Sequence, residues 1–445
     1  MTDDNSKKWL FLLGTFSMTQ VQLIGSIGIS ELVIFITAPF IFLKDYAILK
    51  HDGFGTLLFL LLSCCVGCVI GSIVNDTPFV FALKGFASPY ALFCGVIVGH
   101  RLLRKAPDGL KWFVLGVALS VTINIFIFQR SVESVIYAEG EKGLAAVDGI
   151  MSSPIFWTAR IKAWIDVPIH GWYMQCPTFF SVFIPIAYVI FAMLTTTSGR
   201  SAALGAIGSI VIVLAARKSV ERMLRLQKSF FVFLCTAVII VMGITLVYKY
   251  AATTGILGED AQKKYEGQTK GGDGVLSLLM GGRLEFFVGL YANLQKPIIG
   301  YGPWALDEGG YYEDFLYKYG SAEDFDRYQI SKEWQLNQGY YVRKLLPSHS
   351  HIIGFWQAYG IAGLLLWLYV LGQIVRYFRK DLISVPAWFG FLAVATPSLL
   401  WNVFFSPLGD RIPVAMFMVA LMFTRSVRMG RFSLPYGMMN DYKVN

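Results

Sequence analysis

The stretch FGTLLFLLLSCCVGCVIGSIV, residues 54–74, decides the fold. It contains no charged side chain, and as a helix it is long enough to cross about 30 Å of hydrocarbon. It shows no alternation of polar and apolar residues, which argues against a barrel strand. Cys65 and Cys68 form a CxxC here, but the small residues around them favour helix packing over metal or redox chemistry. The stretch therefore predicts a transmembrane helix.

Apolar runs of this kind recur along the whole chain. They lie at roughly 78–98, 111–129, 176–196, 200–216, 229–248, 352–375, 383–404 and 412–424, and 9–43 has room for two more. With 55% hydrophobic residues, 15% charged residues and a mean hydropathy of +0.56, the 445-residue chain is too apolar for a soluble protein. We therefore expect an all-α polytopic membrane bundle of about ten to twelve transmembrane helices.

The net charge of +9 is spread over short loops and tails, which argues against a nucleic-acid partner. Such an excess of Lys and Arg marks cytoplasmic loops. The chain then divides into an N-terminal transmembrane bundle (1–249), a large periplasmic loop (250–348), and C-terminal transmembrane helices with a cytoplasmic tail (349–445). The basic clusters are Lys7/Lys8, Lys44/Lys50, His100–Lys105 with Lys111, Arg217–Lys228, Arg376–Lys380 and Arg425–Arg431.

The topology between 130 and 200 stays open. If the basic 217–228 loop is cytoplasmic, then 150–175 holds a re-entrant segment or a short crossing, unless an upstream helix is miscounted. Arg200 would then share the outer face with the large loop. Inside that loop, LSLLMGGRLEFFVGLYANLQ (276–295) predicts a short helix stopped by Pro297, and IIGYGPWALDEGGYYEDF predicts a turn followed by an aromatic-rich loop.

Two arginines and two histidines are the candidate catalytic groups. Arg200 and Arg283 suit a diphosphate because a guanidinium pairs bidentately with phosphate oxygens, although an isolated arginine at a membrane edge is as easily an anchor. His349 and His351 stand where the loop re-enters the membrane, and a neutral imidazole accepts a hydroxyl proton near neutral pH. Either histidine alone is more often an ordinary interfacial polar group.

Aromatic and polar residues are mixed in the loop, a composition that suits a sugar ligand. Tyr301 and Trp304 are the candidate stacking rings, although interfacial aromatic belts explain some of these rings. The sequence has no DxD pair at a convincing position and no HExxH, and the acidic residues of 311–325 are more typical of a solvated loop. We therefore expect neither a metal nor a cofactor.

Three motifs in order resemble those of the bacterial O-antigen ligase and O-antigen polymerase superfamily, membrane glycosyltransferases of the GT-C type. TSGRSAALG (197–205) resembles its Arg motif at the start of a helix. GGRLEFFVGLYANLQKPIIGYGPWAL (281–306) resembles its arginine helix and Pro-x-x-Gly-x-Gly-Pro turn. HSHIIGFWQAYGIAG (349–363) resembles its histidine helix ending in Gly-x-x-Gly. Ser350 replaces the usual Asn, so which histidine acts stays open.

The resemblance implies a metal-independent, inverting glycosyltransferase in the bacterial inner membrane, with its active site facing the periplasm. Arg200 and Arg283 would bind the pyrophosphate of an undecaprenyl-pyrophosphate-linked oligosaccharide donor, and His349 would activate the acceptor hydroxyl. His351, Tyr301 and Trp304 are expected to contact substrate. As a polymerase, it would extend a lipid-linked glycan, with a partner that sets chain length. As a ligase, it would transfer glycan to lipid A core.

Two readings from other classes remain. A lipid-oligosaccharide flippase or other transporter predicts charged residues buried at mid-membrane on facing helices, together with repeat symmetry. Helix interiors in this sequence are nearly free of charge, Glu31 and Lys84 excepted, and no repeat is visible. A non-catalytic membrane scaffold predicts that Arg283 and His349 can be replaced without loss of function.

Overall fold

The structure is a computed structural model of the chain. It describes residues 3–17, 19–22, 26–126, 250, 253–254, 284–319, 346, 350–381, 385–406, 408 and 411–434. Arg200, Arg283 and His349 lie outside the described residues, as do the apolar runs predicted at 176–196, 200–216 and 229–248 and the 150–175 segment.

The described residues are mostly helical, which confirms the all-α prediction. The helices are α1 (Asp3–Thr15), α2 (Ile29–His51), α3 (Gly55–Val74), α4 (Phe79–Lys105), α5 (Leu110–Phe126), α6 (Leu284–Gln295), α7 (Tyr311–Tyr319), α8 (His351–Tyr359), α9 (Ile361–Arg376), α10 (Pro386–Phe405) and α11 (Arg411–Arg428). A 3-10 turn, Pro107–Gly109, precedes α5, and a π-turn, Tyr377–Asp381, follows α9. A small antiparallel hairpin, β1 (Gln20–Gln22) and β2 (Ser26–Gly28), separates α1 from α2.

Four of the described helical segments are long and apolar enough to cross a membrane, which indicates a membrane protein. They are Ile29–His51, Gly55–Val74, Phe79–Lys105 and Ile361–Asp381. The run predicted at 54–74 coincides with α3, and the run predicted at 78–98 continues as helix to Lys105. The runs at 111–129, 383–404 and 412–424 are also helical, as α5, α10 and α11.

Two sequence expectations about helix boundaries are wrong. The run at 352–375 is not one continuous helix, because the backbone at Gly360 is left-handed (φ +62°) and separates α8 from α9. Glycine allows this break, since an L side chain rarely adopts that backbone conformation. The 9–43 run contains only one helix of spanning length, α2. Its first part forms the 13-residue α1 and the hairpin, and an α-helix of 13 residues extends only about 20 Å.

The segment after the Gly/Pro turn is also more ordered than predicted. Residues 311–319, expected to be an aromatic-rich loop, form helix α7. Both carboxylate oxygens of Asp307 accept hydrogen bonds from the first turn, from the N–H groups of Tyr311 (2.7 Å) and Tyr312 (2.9 Å). Asp307 therefore caps the helix, a local signal that the loop prediction did not weigh.

Helix α4 lies at the centre of the core, where α2, α3 and α11 all pack on it. Close approach depends on small residues: a Cβ at Gly95 would lie 2.7 Å from the Cβ of Ala415, and one at Gly99 would lie 2.7 Å from the sulfur of Met416. Helices α1 and α5 pack on each other through Gly14 and Gly116 in the same way. The glycines fix how closely these helices approach one another.

The described basic clusters gather at one end of the bundle, as expected of loops on one side of a membrane. We call it the basic end. Lys7 pairs with Asp108, Arg101 with Asp45, Arg104 with Asp52, and Arg376 and Arg428 with Asp381. Trp388, at the start of α10, donates to Pro107 O at the same end (2.8 Å).

Candidate functional site

The second and third sequence motifs pack directly against each other. The turn that follows α6, residues 296–303, lies along the carboxyl end of α8. The N–H of Tyr301 donates to the carbonyl of Gln357 (2.8 Å), and the N–H of Ile361 donates to the carbonyl of Ile298 (2.8 Å). Residues nearly sixty positions apart are thus joined main chain to main chain. We call this contact the motif junction.

Glycine makes the motif junction possible. A Cβ on Gly360 would overlap the carbonyl oxygen of Ile298, and one on Gly300 would lie 2.5 Å from the carbonyl oxygen of Gln357. Both glycines also have positive φ, +62° and +75°. One glycine of each pattern, Gly300 and Gly360, is therefore required because the two backbones touch here.

Side chains reinforce the motif junction with hydrogen bonds to main-chain carbonyls. Trp356 Nε1 donates to Pro297 O (2.8 Å), and the buried Asn293 Nδ2 donates to Ile353 O (3.1 Å). The Tyr301 hydroxyl donates to Ala292 O (2.8 Å). Burial, together with its contact with Tyr311, raises the pKa of Tyr301 well above its ordinary value, so the hydroxyl stays a neutral donor.

The amino-terminal ends of α6 and α8 converge on the carboxyl end of α10. Ser350 begins α8: its hydroxyl accepts from Ile353 N (3.2 Å) and donates to Val403 O (2.7 Å). At the start of α6, the Phe286 ring lies 6.4 Å from the Phe404 ring and 6.0 Å from the Phe405 ring. The described residues closest in sequence to Arg283 and His349 therefore begin two helices that meet at one place.

The three described candidate residues, His351, Tyr301 and Trp304, occupy different environments. His351 is buried, 2% exposed, with its ring 4.8 Å from that of Trp367. Tyr301 is also buried, and its ring is covered by Tyr311 and by the ammonium of Lys296. Trp304 is the exposed ring, at 52%. The geometry favours structural contacts for His351 and Tyr301 and leaves Trp304 accessible to a ligand.

Trp304 contacts two side chains of α4, Phe81 and Lys84, and forms a small aromatic and cationic cluster with them. Its ring stacks on that of Phe81 (centroids 6.0 Å apart), and the ammonium of Lys84 lies 5.7 Å from the Trp304 centroid. The backbone of Trp304 is left-handed, φ +57°, which is uncommon outside glycine. Lys84, one of the two charges noted inside helices, thus lies beside exposed aromatic surface.

The other helix charge, Glu31, forms an ion pair with Arg411 across two facing helices. Arg411 Nε lies 2.8 Å from Glu31 Oε1, and the side chains are 13% and 4% exposed. Ile412, the residue after Arg411, and Ile34, one helical turn after Glu31, both pack near Gly95 in the middle of α4. Glu31 also accepts from Gly28 N (3.0 Å) and caps α2. The pair is therefore buried inside the bundle.

An apolar groove of about 370 Å³ lies beside the motif junction. It is lined by α3 and by the junction loop, including Phe59, Val66, Ile298 and Ile299. Within the described part of the chain, no group of three or more His, Cys, Asp or Glu is placed to hold a metal ion.

Sequence reasoning did not find several residues that shape this region. Asn293 and Ser350 were not singled out as site residues, yet each forms a hydrogen bond with the backbone of α8 at Ile353. For Ser350 a signal was available, because serine is a common residue at the start of a helix. The sequence did not indicate that Arg411 pairs with Glu31, because the two residues are far apart in the chain and only the fold brings them together. No protein-family model matches this chain, and the comparison with curated proteins likewise finds no match.

Proposed function

We propose that this chain is a membrane glycosyltransferase that transfers a glycan from an undecaprenyl-pyrophosphate carrier to a sugar hydroxyl. The observation that supports the proposal is the motif junction. Two motifs that were identified by their resemblance to those of the superfamily join through hydrogen bonds from Tyr301 N to Gln357 O and from Ile361 N to Ile298 O. The proposal uses residues of both motifs, so it requires the two motifs to lie side by side, as they do at the motif junction.

The proposed chemistry uses His349, Arg283 and Arg200, which lie outside the described residues. His349 accepts the proton of the acceptor hydroxyl, the acceptor oxygen bonds to the anomeric carbon, and the bond from that carbon to the pyrophosphate breaks with inversion. Arg283 and Arg200 stabilise the negative charge of the departing pyrophosphate. The burial of His351 against Trp367 favours His349 as the base.

The proposal places the chain in the bacterial inner membrane as a bundle of about ten to twelve helices with the loop 250–348 in the periplasm. The gathering of described basic residues at the basic end, away from the motif junction, supports that orientation. The apolar groove beside the junction is consistent with a lipid-linked substrate. Polymerisation of lipid-linked repeats is the favoured activity, and transfer to lipid A core is the alternative.

A transfer assay tests the proposal. Purified full-length protein is given undecaprenyl-pyrophosphate-linked glycan in EDTA, with either the lipid-linked repeat or lipid A core as acceptor. His349→Ala and Arg283→Ala are expected to reduce transfer by about a hundredfold or more. Lys318→Ala is the matched control, because it removes an exposed cation from the same loop and should leave transfer unchanged.

The acceptor separates the two activities. A ladder on the lipid carrier identifies a polymerase, and a single shifted core band identifies a ligase. Failure to elongate either acceptor, or full activity in both variants, overturns the glycosyltransferase proposal.

One observation favours a transporter as the second candidate. The ion pair between Glu31 and Arg411 is a buried charge pair of the kind that transporters use, although it joins the first turns of α2 and α11 and not the middles of the two helices. Movement of labelled lipid-oligosaccharide across proteoliposome membranes tests it. A transporter should lose that movement in Glu31→Gln, whereas a glycosyltransferase shows none in the wild type.

A further inference from the structure

We propose that Trp304, Phe81 and Lys84 form a binding site for a saccharide that carries an anionic group. The sugar ring packs on the exposed face of Trp304, and its carboxylate or phosphate binds the Lys84 ammonium. The inference rests on the proposed function and deepens it, because it names an acidic class of glycan. We call these three residues the Trp304 platform.

The geometry brings apolar ring surface and a positive charge within the reach of one sugar residue. The Lys84 ammonium lies 5.6 Å from the Phe81 centroid and 5.7 Å from the Trp304 centroid, and the two rings are stacked at 27°. Sugar C–H faces pack on aromatic planes, and a lysine ammonium is a compact charge that donates to carboxylate or phosphate oxygens. Among the described residues, no carboxylate forms an ion pair with Lys84.

The two residues before Trp304 pack against α3 and α4 and hold its backbone in the left-handed conformation. Pro303 packs against Gly85 of α4, and Gly302 packs against Gly71 of α3. Beyond the tryptophan, Ala305 O accepts from Leu346 N (2.9 Å). With φ +57°, Trp304 is strained, and residues held in such a conformation by their surroundings cluster at ligand sites.

Membrane anchoring is the competing explanation. Tryptophan and lysine are common at membrane interfaces, where the ring stays half in water and the lysine snorkels. Anchoring explains the 52% exposure of Trp304 but requires neither a left-handed backbone nor a stacked partner. The two explanations differ in one respect: a platform distinguishes acidic from neutral sugars, whereas an anchor does not.

Direct binding to purified full-length protein in detergent micelles tests the Trp304 platform without requiring turnover. The probes are trigalacturonate, its neutral methyl ester and inorganic pyrophosphate, measured by calorimetry. Trigalacturonate is expected to bind about tenfold more tightly than the ester, since one charge-assisted hydrogen bond separates them. Lys84→Gln should remove this difference, and Lys84→Arg should retain it.

Two further variants complete the design. Trp304→Ala should weaken the acid and the ester alike, and Lys318→Gln, which removes an exposed cation elsewhere in the loop, should change neither. Pyrophosphate binding that Lys84→Gln weakens identifies a phosphate as the anion that Lys84 binds, and pyrophosphate binding that Lys84→Gln leaves unchanged identifies a sugar carboxylate.

Equal affinity for acid and ester in the wild type, no binding of either, or an unchanged preference in Lys84→Gln overturns the inference. Because no transfer is measured, a chain that fails the transfer assay can still show the platform, and an active transferase can lack it.

Discussion

The basic end of the bundle and the motif junction are held together by different chemistry. At the basic end, the buried carboxylate of Asp52 contacts His100 Nε2 (2.9 Å), His51 Nδ1 (3.1 Å) and Arg104 Nε (2.9 Å). The hydrogen bonds that join the two segments of the motif junction link uncharged groups: main-chain amides and carbonyls, and the side-chain donors of Trp356 and Asn293. One end depends on charge, the other on close approach.

This difference teaches how each end should respond to change. A buried carboxylate with three side-chain partners is expensive to replace, because the buried His100 imidazole then loses its hydrogen-bond partner. A glycine junction has no charge to lose, so it is indifferent to pH but intolerant of one added carbon atom. The geometry next to the candidate site is therefore set by sterics.

The largest expected effect is at the motif junction, from Gly360→Ala. The new Cβ overlaps Ile298 O, and alanine is strained at φ +62°. Together these effects should lower the free energy of unfolding by about 4 kcal/mol. Thermal unfolding in detergent measures it, with Gly372→Ala in α9 as control.

At Gly372 no atom of the described residues, apart from the backbone of its own helix, lies within 4 Å of an added Cβ, so alanine there should be neutral or stabilising by about 0.5 kcal/mol. Equal unfolding midpoints for Gly360→Ala and Gly372→Ala would show that the two backbones do not touch as described.

The second effect is at the basic end, from Asp52→Asn. The amide keeps the shape of the side chain but cannot balance the Arg104 guanidinium, so we expect a loss of about 2 kcal/mol. Asp45→Asn is the control, because its pair with Arg101 is 14% and 22% exposed and should be worth less than about 1 kcal/mol. A larger loss at Asp45 than at Asp52 would contradict the ranking by burial.

The sequence predicted a good part of this arrangement and missed the rest for physical reasons. Hydropathy found α3, α4 and α10, because a lipid-facing helix must be apolar along its whole length. It missed the break at Gly360, since apolarity carries no information on backbone conformation. Local motif patterns identified segments that meet at the junction, but pairings such as Glu31 with Arg411 exist only in the fold.

The candidate residues themselves illustrate the same limit. Tyr301 and Trp304 look equivalent in sequence, as aromatic residues of one Gly/Pro turn. The fold buries Tyr301 with its hydroxyl bonded to Ala292 O and exposes Trp304 beside Lys84. Composition identifies rings that can bind a sugar, and only packing decides which of them a sugar can reach.

The third prediction uses pH to separate the two ends. Burial opposes ionisation of Asp52, but hydrogen bonds from His100 and His51 and the charge of Arg104 outweigh it and hold its pKa below the ordinary value of 3.8. A lowered carboxyl pKa stabilises the fold above the unfolded-state value, and that contribution is lost as pH falls through the folded-state value.

The stability difference between wild type and Asp52→Asn should therefore be full from pH 5 to 7 and shrink as pH falls below about 3.8. The deficit of Gly360→Ala should stay constant over the same range. A deficit of Asp52→Asn that does not change with pH would mean that the pKa of Asp52 is the same in the folded and unfolded states.

The smallest effects come from a pair of matched indole hydrogen bonds, one at each end. Trp356 donates to Pro297 O at the motif junction and Trp388 donates to Pro107 O at the basic end, both at 2.8 Å. Phenylalanine keeps most of the ring and removes the donor, so each variant should lose about 1 kcal/mol. Because the losses match, any difference in function reflects position rather than stability. Only Trp356→Phe frees the loop that carries Trp304, so only it should weaken trigalacturonate binding. Equal weakening by Trp388→Phe would mean that the two ends act as one unit.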